Sequence, residues 1–323
     1  MEEKVGQMFI ARAPASNGAS DVSTYHLGGY ILFGRDFSCK TKQQVISDIE
    51  RYQAAANIPL FIGVDEEGGV VNRVSLNPNF RTVPFWSPQD LYAEGGFELI
   101  RSDTKEKAEL LHSLGINLNF APVSDVSEDP SDFIYSRSFG KPAPETAEFV
   151  RNVVEVMNEE NMGSVLKHFP GYGNNTDTHT GIAYDNRSYE TFVNSDFLPF
   201  EAGIESGASM VLVSHNIVSA IDAQNPASLS SNVHNILRND LGFNGVIITD
   251  DLVMDGVRDF AGDKEVAIMA VNAGNDMLCC TNYQEQIPAV IEAVKNGQIS
   301  EERIDESVMR ILELKISLGL ISL

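Results

Sequence analysis

Short apolar runs rich in β-branched and aromatic residues recur along the chain at 8–11, 29–33, 60–64, 116–122, 165–169, 210–214, 246–249 and 277–280. Between them lie longer stretches of helical period, such as 145–159, where Phe149, Val150, Val153, Val154 and Met157 share one face. Ser300 followed by Glu301 and Glu302 predicts the start of a closing helix whose apolar side carries Ile304, Val308, Ile311 and Leu312. Strand and helix alternating in this way build a parallel sheet, and eight repeats within 323 residues favour a (β/α)8 TIM-like barrel. The rival, an open doubly wound sheet, is weakened by the lack of a GxGxxG or GxxxxGK[ST] motif after an early strand. No Pro/Gly-rich linker, charge block or low-complexity run interrupts the pattern, so residues 1–323 read as one domain.

In a barrel, chemistry gathers where strands end and the following loops begin. Asp65, Lys167, His168, His215 and Asp250 all occupy such places. Gly245-Val-Ile-Ile-Thr-Asp250-Asp251 delivers two consecutive carboxylates, of which strand alternation lets only one face the mouth. One is read as catalytic and its neighbour as supporting or capping. Lys167-His168 opens a glycine-containing loop that presents Asp177 and His179 two residues apart. A carboxylate beside an imidazole orients the ring and raises its proton affinity, which suits acid/base work, although an ordinary polar loop gives the same local pattern. Asp65 precedes Glu-Glu-Gly-Gly69, where paired glycines permit positive φ or a close approach to ligand; a tight turn with solvated acids is the alternative. Arg73 and Arg137 are forked donors for hydroxyl or amide oxygens. His215 is a candidate for the pocket wall, whereas His26, His112 and His234 read as core or surface residues.

Charge narrows the field of partners. Asp+Glu 46 against Lys+Arg 23 gives a formal net charge of -23, which repels phosphate backbones and anionic membrane, so neither nucleic acid nor membrane is expected as a partner. No apolar stretch reaches the length of a membrane span, and the N-terminus lacks the order of a signal peptide. A cytoplasmic protein is expected, with secretion left open should a leader have been removed. Cys39, Cys279 and Cys280 form neither a disulfide framework nor a CxxC knuckle. His168, Asp177, His179, His215, Asp250 and Asp251 could supply metal ligands, but the first strand offers none and HExxH is absent, so no metal and no cofactor are expected.

Taken in order, several stretches resemble glycoside hydrolase family 3, in its bacterial β-N-acetylglucosaminidase branch. They include Glu3-Lys-Val-Gly-Gln-Met8, Gly63-Val-Asp-Glu-Glu-Gly-Gly69, Gly115-Ile-Asn-Leu-Asn-Phe-Ala-Pro-Val123, Arg137-Ser-Phe-Gly140, Lys167-His-Phe-Pro-Gly171, Asp177-Thr-His179 and Asp250-Asp-Leu252. The resemblance implies a (β/α)8-like catalytic domain and a retaining, exo-acting β-N-acetylhexosaminidase. Its carbohydrate substrate would end in N-acetylglucosamine or N-acetylgalactosamine, as in peptidoglycan recycling. By position, Asp250 resembles the nucleophile and Asp177 with His179 the acid/base dyad. Asp65, Arg73, Arg137, Lys167 and His168 resemble the contacts to the terminal sugar. A related β-glycosidase or phosphorylase, a sugar-binding protein without turnover, and a metal-dependent hydrolase are the alternatives.

Overall fold

Most barrel strands are runs of three or four largely apolar residues buried on both faces, the signature of a parallel sheet covered by helices. In chain order they are Phe9–Arg12, Gly29–Leu32, Phe61–Val64, Leu118–Asn119, Gly163–Phe169, Met210–Val213, Val246–Thr249 and Leu278–Cys280. The computed structural model describes residues 1–175, 183–254, 257 and 260–322. Neighbours in sequence are neighbours in the sheet, the eighth strand pairs with the first, and every pairing is parallel. The ring closes between the seventh and eighth strands through a single bridge, Ile248 to Met277. Four backbone bonds reinforce that seam, from Asp276 N (2.8 Å) and Met277 N (3.0 Å) to Ile247 O, from Thr249 N to Met277 O (3.2 Å) and from Leu252 N to Cys279 O (3.2 Å). The expected (β/α)8 barrel is therefore what forms.

The fourth strand is shorter than the run 116–122 predicts, because side chains take over part of its ladder. Asn117 Oδ1 accepts from Ile62 N (2.9 Å) while its Nδ2 donates to Leu60 O (3.1 Å). Asn119 Oδ1 accepts from Glu66 N (3.0 Å) and its Nδ2 donates to Glu66 O (3.0 Å). Pro122, which has no N–H to offer, follows at once. Inside the barrel Gly63 leaves room for the Phe120 ring, whose edge would stand 2.6 Å from any Cβ placed there.

Helices cover the outside. Ala143–Glu159 buries the five apolar residues expected of it and packs against Pro88–Ser113 and Phe197–Glu205, with Phe139 stacked on Phe149 at 4.7 Å. The closing helix, Glu301–Ser317, begins where Ser300 Oγ accepts from Arg303 N (3.1 Å). Its buried side is Ile304, Ser307, Ile311 and Lys315, with Val308 and Leu312 only half-buried at the flank. That helix is thus rotated from the purely apolar face, and a lysine closes the floor of the barrel. A short parallel ribbon, Tyr184–Asp185 with Ile217–Val218, lies outside the ring.

Candidate active site

Strand ends at the C-terminal rim carry a continuous charged network. Lys167 leaves the fifth strand and meets Asp65 Oδ1 at 2.7 Å and Glu67 Oε1 at 2.6 Å. Arg137 grips the same Glu67 with both arms of its fork, Nε to Oε2 at 3.0 Å and Nη2 to Oε1 at 2.8 Å. Arg137 Nη2 also lies 3.3 Å from His168 Nε2, and His168 Nδ1 lies 2.7 Å from Asp125 Oδ2. Four of the sequence-predicted residues, Asp65, Arg137, Lys167 and His168, are thereby joined through Glu67, with Asp125 behind His168, from the third strand to the fifth. Lys167 and His168 are consecutive, yet both take part. The register of the fifth strand shifts between Leu166 and Phe169, which relaxes the usual alternation of side chains.

Glu67 is the hub. Burial alone would raise its pKa, but Lys167 and Arg137 outweigh that and hold the carboxyl down to about 2. Burial pulls Lys167 toward the neutral amine, while Asp65 and Glu67 more than reverse it and hold the ammonium form above its ordinary range. The rim therefore keeps fixed charges near neutral pH, with Asp65 half-buried at its edge. Fixed, forked and hydrogen-bonded groups of this kind suit the positioning of a polyhydroxylated ligand.

The loop after the third strand is folded by Glu66, whose carboxylate accepts from the backbone N–H of Arg73 (2.7 Å), Val74 (2.7 Å) and Ser75 (3.0 Å). Gly68 and Gly69 hold φ of 98° and 64°, so the expected use of paired glycines for positive φ is realised. This turn brings Arg73 to the rim, where its guanidinium lies 5.9 Å from the Phe33 ring centroid.

Asp250 and Asp251 follow the seventh strand and divide as alternation requires. Asp251 Oδ2 accepts from Thr281 Oγ1 (2.6 Å), and its Oδ1 accepts from Val253 N (3.2 Å) and Thr281 N (3.2 Å). Burial first, and then the neighbouring Asp250, raise the pKa of Asp251. Asp250 Oδ1 accepts from Asp251 N at 2.8 Å, and its side chain is half-buried at the rim. His215, fully buried after the sixth strand, has Nδ1 at 2.8 Å from Ser228 Oγ and Nε2 at 3.0 Å from Asp251 O. It stands behind the acidic turn. Asp177 and His179 lie outside the described residues.

Sequence reasoning did not single out Glu66, Glu67, Asn119 or Asp125 as organisers. Asp125 follows the fourth strand, so the strand-end rule could have found it, and its Oδ1 also accepts from Tyr172 N (2.8 Å). Glu67 was read with the solvated acids of a turn; its burial depends on cations remote in sequence. Among the described residues no group of three or more His, Cys, Asp or Glu is arranged to hold a metal ion, and no helix is long and apolar enough to cross a membrane.

Comparison with known proteins agrees with this geometry. The family model described as "Glycosyl hydrolase family 3 N terminal domain" matches residues 1–314. A β-hexosaminidase of Tolumonas auensis is 34% identical over 285 residues, 85% of this chain and 81% of that protein. The structure of a glycoside hydrolase family 3 β-N-acetylglucosaminidase from Paenibacillus sp. str. FPU-7 superposes with a TM-score of 0.92 at 33% identity. That match covers 100% of this chain, which spans 64% of the Paenibacillus chain. A β-N-acetylhexosaminidase from Beutenbergia cavernae superposes with a TM-score of 0.87 at 27% identity, over 97% of this chain and 98% of its own. The chain belongs to glycoside hydrolase family 3.

Proposed function

We propose that the chain is a retaining, exo-acting β-N-acetylhexosaminidase that removes terminal β-linked N-acetylglucosamine or N-acetylgalactosamine, with residues 1–323 as its catalytic barrel domain. The observation that carries this reading is the placement of Asp250 and of the Asp65–Lys167–Glu67–Arg137–His168 network at strand ends of the same rim of a family 3 barrel. In the first step an Asp250 carboxylate oxygen forms a bond to the anomeric carbon as the glycosidic C–O bond breaks. His179, oriented by Asp177, gives its proton to the leaving oxygen. In the second step His179 takes a proton from water, the water oxygen bonds to the anomeric carbon, and Asp250 leaves as carboxylate.

Asp65, Arg73, Arg137, Lys167 and His168 bind the terminal sugar in this scheme. His215 acts as a wall and brace of the acidic turn. The relatives' names support the substrate class: a β-hexosaminidase, a β-N-acetylglucosaminidase and a β-N-acetylhexosaminidase.

A slowly turned-over fluorinated N-acetylglucosaminide tests the covalent step. Mass spectrometry should find the sugar on the peptide containing Asp250, and a label elsewhere or none at all would overturn the assignment. Rates on aryl N-acetylglucosaminide, N-acetylgalactosaminide and glucoside test the substrate: the two acetamido sugars should be hydrolysed and the glucoside should not.

A further inference from the structure

Between the end of the fifth strand at Phe169 and the helix that starts at Tyr189, the chain has two described stems, 171–175 and 183–187. Asp177 and His179 fall between them in sequence. One side chain, Arg187, ties the stems together. Its Nη2 donates to Gly171 O (3.4 Å) on the outgoing stem and to Asp185 Oδ2 (2.8 Å) on the returning one, and its Nε reaches both Asp185 oxygens at 3.1 and 3.0 Å. Nη1 donates to both oxygens of Asp196 at 3.0 Å, and Asp196 ends a π-helical turn, Phe192–Asp196. The guanidinium carbon lies 4.4 Å from the Phe192 ring centroid.

The outgoing stem is moulded to this cluster. A Cβ on Gly171 would stand 2.4 Å from Asp196 Oδ1, and one on Gly173 would stand 2.4 Å from the Arg187 guanidinium carbon. Their φ angles, 124° and 52°, are also positive, so both positions call for glycine twice over. Asp125 holds the same stem from its other side, accepting from Tyr172 N (2.8 Å) while it engages His168. The returning stem is attached to the barrel through the ribbon of Tyr184–Asp185 with Ile217–Val218, and Ser219 N donates to Asp185 O (2.8 Å). Gly171, Gly173, Asp185, Phe192 and Asp196 all belong to the connection between the fifth and sixth strands, so Arg187 organises this loop rather than the ring of strands.

Fixing both ends of a loop removes many of the conformations open to what lies between them. A displacement of about 1 Å at a reacting group can cost on the order of 100-fold in rate. We propose that Arg187 is a positioning residue for proton transfer: by binding Gly171 and Asp185 at once it fixes the two stems that flank Asp177 and His179, and it acts through them rather than on the sugar. The inference rests on the glycosidase reading above, in which His179 is the acid and base.

Arg187→Lys keeps a charge between Asp185 and Asp196 but cannot bind three partners with a fork. Burial pushes the Asp196 carboxyl up to about 6 even beside Arg187, so deleting the charge outright would leave two buried acids together. Asp185→Ala, which frees the returning stem and leaves Asp196 its cation, is therefore the second variant. Departure of 2,4-dinitrophenolate needs no proton, whereas departure of phenolate does. On the 2,4-dinitrophenyl N-acetyl-β-glucosaminide, kcat/KM of either variant should stay within threefold of wild type; on the phenyl glycoside it should fall at least thirtyfold. Azide, which attacks the glycosyl-enzyme without help from a base, should raise kcat of the variants on the dinitrophenyl substrate and yield the glycosyl azide, with no such gain for wild type. Amide exchange read by mass spectrometry should accelerate at 171–175 and 183–187 and stay unchanged at 246–249. An equal loss on both glycosides, no loss on either, or unchanged exchange at the stems overturns the proposal. A wild-type chain that cleaves neither glycoside overturns the glycosidase reading and the proton-transfer role with it; faster exchange in the variants then still supports Arg187 as the tie between the stems.

Discussion

Two buried lysines stand at opposite ends of the barrel and titrate in opposite directions. Lys167, at the C-terminal rim, has Asp65 and Glu67 within 2.7 Å and is held in its charged form. Lys315, at the floor, donates only to neutral oxygens, Gln7 Oε1 at 2.7 Å and Gly28 O at 3.0 Å, and burial pushes its pKa down to about 7. Burial is common to both, so the partners decide the sign. The rim spends buried charge on arranging a ligand site. The floor tolerates a group that is costly to bury, with the Phe61 ring 5.0 Å from its amine.

Removing the rim lysine should do the most damage. Lys167→Met leaves Asp65 without its cation and Glu67 with Arg137 alone, and loss of one partner of a buried pair costs about 3–5 kcal/mol. The variant should melt far below wild type and hydrolyse aryl N-acetylglucosaminide more than a hundredfold more slowly. A stable, active Lys167→Met would break the contrast at once.

The floor lysine should behave in the reverse sense. Below pH 7 Lys315 is protonated in both folded and unfolded chains, and the folded chain bears the full cost of a buried ammonium. Between pH 7 and the ordinary 10.5 the unfolded chain binds a proton that the folded one lacks, so stability rises with pH; above 10.5 the difference vanishes. Lys315→Met should therefore stabilise by up to about 5 kcal/mol below pH 7 and progressively less toward pH 10.5, with unchanged turnover. Denaturant midpoints at pH 6 and pH 10 measure this, and a gain that does not shrink with pH would refute it.

Glu67 sharpens the comparison from the acid side. Its folded pKa of about 2 lies below the ordinary 4.5, so its contribution is complete above pH 4.5 and disappears as pH falls through 2. Between those limits wild type should lose about 2–3 kcal/mol more than Glu67→Gln, as read by acid unfolding curves. Parallel curves would mean that Glu67 titrates normally. The smallest expected effect is that of Thr281→Val, which removes one hydrogen bond to Asp251 and should cost about 1 kcal/mol, checked by urea midpoint.

What could be read in the sequence follows the distance over which each feature is determined. Seven strands are set by local apolar runs and fall within a residue or two of expectation, as does the cap at Ser300. The fourth strand does not, since its pairing runs through the side chains of Asn117 and Asn119, which periodicity cannot register. Asp65, Lys167, His168 and Asp250 were legible as polar residues at strand tips. Glu67 and Asp125 were not singled out, because their importance arises from partners 40 to 100 residues away that only the closed ring brings together. Lys315 was invisible for a similar reason: a helix face reads as apolar until its neighbours fix its rotation.

The seam between the seventh and eighth strands carries one further implication. A closed ring of strands offers no edge to which another chain could add, and here the closure depends on one bridge, a few backbone bonds and the grip of Thr281 on Asp251. The turn that presents Asp250 is thus also the latch of the ring. Sequence drift that loosens it exposes two unpaired strand edges as well as disturbing the acid, so selection against self-association guards this corner independently of selection for turnover.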